Sequence, residues 1–314
     1  METFKAPFKG RSLLNWIEWT PEEIETLLNL AIQVKAESHR GEIHQRFLGK
    51  TIALIFEKRS TRTRSSFETA FGEEGGHPVF MSTDDIQLGG KESVQDTARG
   101  LGRMFSAIEF RGFKQEHVEQ LAKYSGIPVI NGLTDEFHPT QALADIMTLK
   151  ENFETIKGLK WTFCGDGRNN VARSMMLISA KLGINFSIFS PKELFPDQEI
   201  INICEPFAKL SGAKIQISDK MDVVEGADCL YTDVWVSMGE EKLKDQRTKL
   251  LRPFQVNSEL MKRTGKENTI FMHCLPAVKG QEVTEDVFES TASRVWDEAE
   301  NRKHTIKAIM LGLI

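Results

Sequence analysis

The sequence predicts an α/β protein made of two doubly wound parallel-sheet domains with a cleft between them. Three observations carry this expectation. The chain has 314 residues, enough for about two domains. Short apolar runs rich in β-branched residues alternate with segments of helical periodicity. Clusters of polar and charged residues stand directly after several of those runs, where ligands bind in doubly wound sheets.

Thr51–Phe56 is the first strong strand, followed by a segment in which Phe67, Ala70 and Phe71 recur at helical spacing until Gly75-Gly76 stops it. The rhythm continues with His77–Ser82 extended, Glu92–Met104 helical, Ala107–Phe110 extended, Glu116–Tyr124 helical, Ile127–Ile130 extended and a helix from about Pro139 to Lys150. It restarts at Trp161–Cys164, with a Gly-containing turn, a helix over about Asn170–Leu182 and a strand over Asn185–Phe189. Further strands are expected at Lys214–Ile217, Cys229–Thr232, Thr269–His273 and Arg294–Trp296, before a last helix over about Ala299–Leu311. The helix ending near Phe153 is the expected bridge between the two domains.

Composition narrows the function. The chain is 40% hydrophobic and 27% charged, as expected of a folded globular protein. Forty Lys and Arg against forty-five Asp and Glu leave a net charge of -5, which argues against a broad surface for nucleic acid. No apolar run approaches the roughly 18 residues of a membrane helix, and the first residues lack a secretory pattern. Cys164, Cys204, Cys229 and Cys274 form no CxxC pair, which fits a reducing compartment, so a cytoplasmic protein is expected.

Four segments carry chemistry. In Glu57-Lys58-Arg59-Ser60-Thr61-Arg62-Thr63-Arg64, hydroxyls and arginines meet the N-terminus of a helix, an arrangement suited to a phosphate. A simple helix cap is the alternative, but capping accounts for one hydroxyl and not for three arginines in six residues. In His138-Pro139-Thr140-Gln141, Pro139 opens a helix with His138 and Gln141 at its positive end. Cys274 closes an apolar strand ahead of Leu275-Pro276; a cysteine there is more often an inert small hydrophobe than a reactive group, and its place at the strand's end is what favours function. Asp233 leaves a strand toward Ser237-Met238-Gly239, where it could bind an ammonium group or cap a turn. Gly165-Asp166-Gly167 fails the dinucleotide pattern, since Asn170 replaces the third glycine and no acid ends the next strand.

Taken together and in order, these motifs resemble the signature set of the aspartate/ornithine carbamoyltransferase family, and within it the ornithine branch. The resemblance spans nearly the whole chain. It implies transfer of the carbamoyl group of carbamoyl phosphate to the δ-amino group of ornithine, giving citrulline and phosphate, a reaction of arginine metabolism and amino-acid biosynthesis. It implies a carbamoyl-phosphate-binding domain over 1–150, an ornithine-binding domain over 151–298, and a C-terminal helix, about 299–314, packing back on the first. Ser60, Thr61, Arg62, Thr63 and Arg111 match the phosphate-binding positions, joined by Gln87 from a neighbouring subunit. The site would therefore be shared within a homotrimer, with stacking into a higher assembly left open. His138 and Gln141 would address the carbamoyl group, and Cys274, Leu275 and Arg302 complete that end of the site. Asn169, Asp233, Ser237 and Met238 match the ornithine contacts. Cys274, Asp233, Arg111 and His138 are the expected catalytic residues, with no cofactor or metal and no nucleic-acid or membrane partner. Another acceptor amine, a non-catalytic carbamoyl-phosphate binder and a Rossmann oxidoreductase are the competing readings; the intact motifs and the missing glycine weigh against the last two.

Overall fold

The computed structural model describes residues 4–86, 92–236 and 240–314, with the side chain of Glu241 excepted. It divides into two units, residues 1–147 with 300–314, and residues 148–299.

In the first unit, strands and helices alternate as α1 (Pro21–His39), β1 (Thr51–Phe56), α2 (Thr61–Glu73), β2 (His77–Ser82), α3 (Val94–Leu101), β3 (Ala107–Arg111), α4 (Gln115–Ser125), β4 (Val129–Leu133) and α5 (Pro139–Asn152), whose last turn passes into the second unit. The strands form one parallel sheet in the order β2-β1-β3-β4. Parallel neighbours need crossovers, and helices supply them, so β1, β3 and β4 are buried, whereas the edge strand β2 is not. β1 is buried from Ile52 to Phe56. Ala53, Ile55, Ile108, Phe110 and Val129 pack with Val118 and Leu121 of α4 into one core. Capping chemistry sets the helix starts: the Thr20 side chain accepts from the backbone of Glu23, and the Glu23 carboxylate accepts from the backbone of Thr20, a full capping box.

The second unit runs β5 (Lys160–Cys164), α6 (Asn170–Leu182), β6 (Asn185–Phe189), α7 (Gln198–Ser211), β7 (Ile215–Ser218), β8 (Cys229–Thr232), α8 (Lys244–Leu251), α9 (Ser258–Arg263), β9 (Ile270–His273), α10 (Glu285–Phe288) and the start of α11 (Val295–Leu313), which continues into the first unit. Its parallel sheet has the order β7-β6-β5-β8-β9. Gly183 at φ 73° ends α6 in the left-handed region, where a side chain would be strained.

One expected strand is corrected. Arg294–Trp296 contributes only an edge: Phe271 and Ser293 form an isolated parallel bridge, and Arg294 N donates to Phe271 O at 2.9 Å. Val295 then opens α11, four residues earlier than Ala299, because Asp297 and Glu298 favour a helix first turn more than the Val-Trp pair favours a ladder.

Two neighbouring glycines test the packing of α3 against α4. A Cβ on Gly102 would lie 1.8 Å from the Ser125 carbonyl oxygen, a backbone atom that cannot step aside, whereas a Cβ on Gly100 meets nothing within 4 Å. Gly102→Ala is expected to cost about 2 kcal/mol or more, seen as a Tm lower by roughly 4–8 °C. Gly100→Ala, on the exposed face of the same helix, should be neutral or raise Tm slightly. Equal Tm values for the two variants would contradict this packing.

Candidate active site

In each sheet the strand order reverses once, and crossovers leave in opposite directions on either side of that point, opening a crevice at the carboxyl ends of the strands. The reversal falls between β1 and β3 in the first unit and between β5 and β8 in the second. Every described residue singled out from the sequence follows one of these strands or is bonded to a residue that does.

In the first unit, Ser60 caps α2, its hydroxyl accepting from Thr63 N at 3.1 Å. Thr61 and Arg62 form the first turn, so their N–H groups have no carbonyl partner within the helix. Thr63 Oγ1 is buried and receives Nη1 of Arg111 and Nη2 of Arg302, each at 3.2 Å. Arg111 ends β3, where the pairing with β4 skips Gly132, so the bulge lies in β4. Arg302 also donates to Gln141 Oε1 at 2.5 Å and Thr140 Oγ1 at 3.2 Å, and its Nη1 lies 3.5 Å from His138 Nε2. Gln141 Nε2 in turn donates to Asp145 at 2.8 Å. Ser60, Arg62, Thr63, Arg111, His138, Gln141 and Arg302 thus gather at one strand-end cluster, while Thr61 faces outward. Gln87 lies outside the described residues.

Burial and the positive charges of Arg302, Arg111 and Arg62 hold the His138 imidazole well below its ordinary pKa of 6.5, so it is neutral. Its Nε2 faces Arg302 and its Nδ1 lies 3.4 Å from Thr140 Oγ1, so both ring nitrogens are turned toward this cluster.

Glu109 escaped the sequence reading. It is fully buried two residues before Arg111 on β3, and neither carboxylate oxygen has a hydrogen-bond partner among the described residues. Burial drives its pKa well above 4.5, against the pull of Arg111 and Arg302, and this keeps it protonated. Gly132 makes room for it, since a Cβ there would sit 1.9 Å from Glu109 Oε1. The available signal was the period of two that puts residues 109 and 111 on one strand face. Thr140 was missed as well, and only the fold reveals its bond to Arg302.

In the second unit, Asn169 caps α6 by accepting from Val171 N at 2.7 Å, and its Nδ2 donates to Asp233 Oδ2 at 2.9 Å. Asp233 Oδ1 accepts from Val234 N at 2.8 Å and from Cys274 Sγ at 3.1 Å. Asn169, Asp233 and Cys274 are therefore one chain of hydrogen bonds across the ends of β5, β8 and β9. Glu298 supports it from beneath, accepting from Tyr231 Oη of β8 at 3.0 Å and His273 N of β9 at 2.9 Å. Leu275 adopts φ 59°, a left-handed conformation costly for a branched side chain, and its N–H donates to His273 Nδ1 at 2.8 Å. Cys274 is half-buried, whereas Cys164, Cys204 and Cys229 are buried, and burial pushes the Cys204 thiol up to about 12. Asp233, His273 and Cys274 bring possible metal-ligand atoms within 4.8 Å, but His273 is engaged by Leu275 at Nδ1 and faces Glu282 at Nε2. Ser237 and Met238 lie outside the described residues.

The first unit thus gathers arginines and hydroxyls around a neutral histidine, and the second aligns a carboxylate with a thiol. Comparison with known proteins agrees with this division. Residues 11–151 match the carbamoyl-P binding domain of aspartate/ornithine carbamoyltransferase, and residues 157–313 match the Asp/Orn binding domain. An ornithine carbamoyltransferase of Caldanaerobacter subterraneus subsp. tengcongensis is 63% identical over 98% of both chains. One from Pseudothermotoga lettingae is 62% identical over 97% of this chain and 98% of its own. The solved ornithine carbamoyltransferase from Pyrococcus furiosus superposes with a TM-score of 0.94 at 47% identity, covering 97% of each chain. With both domains matched and identity this high over nearly all of its length, the chain belongs to the aspartate/ornithine carbamoyltransferase family.

Proposed function

We propose that the protein transfers the carbamoyl group of carbamoyl phosphate to the δ-amino group of L-ornithine, giving L-citrulline and phosphate. What supports this reading is that one unit holds an arginine-rich strand-end cluster and the other, by itself, the Asn169–Asp233–Cys274 chain, in a chain 63% identical to an ornithine carbamoyltransferase.

The phosphate is assigned to Ser60, Arg62, Thr63 and Arg111 and to Thr61 through its backbone N–H, where helix N–H groups and guanidinium forks both favour a dianion. Gln87 from a neighbouring copy of the chain completes this part in a homotrimer. The carbamoyl group lies toward His138, Gln141, Arg302 and the Cys274-Leu275 turn. Ornithine is taken by Asn169, Asp233, Ser237 and Met238, with Asp233 and Cys274 orienting its δ-amino group.

An amine attacks only as the free base, so the ammonium form that prevails in neutral water must first lose a proton. Asp233, positioned by Asn169, and the Cys274 sulfur hold the nitrogen while that proton leaves. As the C–N bond forms, negative charge grows on the carbonyl oxygen, where the fixed cation of Arg111 and a proton on His138 stabilise it. The C–O bond then breaks, the second proton leaves the nitrogen, and phosphate departs into the arginine cluster. Under this proposal the reaction belongs to arginine metabolism and the protein to the cytoplasm.

The first test is ureido-product formation from carbamoyl phosphate with ornithine, N-acetylornithine, putrescine and aspartate. Strong preference for ornithine is expected; turnover of another amine would overturn the acceptor assignment. Arg62→Ala should weaken carbamoyl phosphate binding by about 10- to 100-fold, the cost of one charge-assisted contact, measured by calorimetry. Unchanged affinity would remove Arg62 from the phosphate site. Because burial and three arginines keep His138 neutral, its imidazole should show no protonation midpoint near 6.5 when followed by nitrogen NMR from pH 7.5 to 5.5. A midpoint there would contradict the neutral donor.

A further inference from the structure

A second cluster of ligand-bearing side chains lies in the first unit, apart from every residue assigned above. His39 is the last residue of α1, and Glu300 and His304 stand one turn apart on α11. Both imidazoles aim Nε2 at the same oxygen: His39 Nε2 lies 2.8 Å and His304 Nε2 3.4 Å from Glu300 Oε1. One ligand atom from each of the three residues falls within 4.8 Å of the others. In a tetrahedral zinc site with bonds of about 2.0–2.1 Å, ligand atoms are separated by about 3.3 Å, so little movement would seat an ion.

The surroundings favour that use. Glu300 Oε2, the oxygen facing away from the imidazoles, is 3.5 Å from Lys35 Nζ, and Lys35 also donates to Asn301 Oδ1 at 2.8 Å. A ligating carboxylate held through its other oxygen is the usual outer-shell arrangement. His304 is buried and its Nδ1 has no hydrogen-bond partner among the described residues, so its polar contact is made through Nε2. The side chains of His39 and Glu300 are 59% and 42% exposed, which leaves an ion an entry path and room for a water as fourth ligand. Two imidazoles and one carboxylate suit zinc or a similar borderline ion better than calcium or magnesium.

We propose that His39, Glu300 and His304 bind a divalent transition-metal ion of the zinc class, which pins the end of α1 to α11. The ion would act as a staple between helices and take no part in the reaction.

The test is zinc titration of the full-length protein against a competing chelator near pH 7.5, in a Cys274→Ala background so that the catalytic thiol cannot contribute. One zinc per chain is expected, with affinity at least 10-fold weaker in both His39→Ala and Glu300→Gln. Zinc should raise Tm in the parent and fail to do so in these variants, as expected when a ligand binds only the folded state. His39 and Glu300 are exposed, so the variants should fold normally, and in a wild-type background His39→Ala should keep full metal-free activity. No stoichiometric binding in the parent, or equal affinity in parent and variants, would overturn the site.

Discussion

The first unit is organised around the buried guanidinium of Arg302. Taking such a group out of water costs several kcal/mol unless its N–H groups find acceptors. Thr63 from α2, and Thr140, Gln141 and His138 from the start of α5, supply them. One side chain on the last helix therefore ties together two helix N-termini that lie 161 to 239 residues earlier in the chain. These acceptors are neutral, so they hold the cation in place without cancelling its charge. That is what the proposed phosphate site needs in order to attract a dianion and still release it.

The second unit solves a different problem by similar means. Asp233 is held by Asn169, by its own loop backbone and by the Cys274 thiol, so its two oxygens point in fixed directions. Asn169 does this while capping α6, which makes the helix start and the site geometry a single feature. Beneath, Glu298 bonds both β8 and β9, fixing the spacing of the two strands that deliver Asp233 and Cys274.

Much of this was legible because parallel sheets force it. Strands buried on both faces are apolar runs, and their carboxyl ends are the places where polar residues abruptly follow, as at Phe56, Arg111, Thr232 and His273. What escaped was held by other forces. α7 carries Pro206 in its interior, which masks a helical period. α1 announced itself through Thr20-Pro21-Glu22-Glu23, a capping box that a search for strand-helix alternation passes over. Arg302 is named only through the resemblance, since by itself it looks like any solvated helix arginine until folding brings residues 63 and 140 to it. Glu109 is hidden because a charged residue inside an apolar strand contradicts the pattern that identifies the strand.

Glu109 and His138 also show which way function and stability pull. Burial raises the folded pKa of Glu109, so its contribution to stability is complete below the unfolded value near 4.5 and is lost as pH rises toward the folded one. Burial lowers the folded pKa of His138, so its contribution is complete above about 6.5 and is lost as pH falls toward the folded value. Near neutral pH the histidine therefore costs little, while the glutamate bears the full expense of staying protonated beside two arginines. An apolar residue of the same size would avoid that cost. Its place on the strand that delivers Arg111 fits the proposed phosphate site, in which a neutral acid rather than a carboxylate lies next to the guanidinium, because a charged one would compete with phosphate for the same arginines.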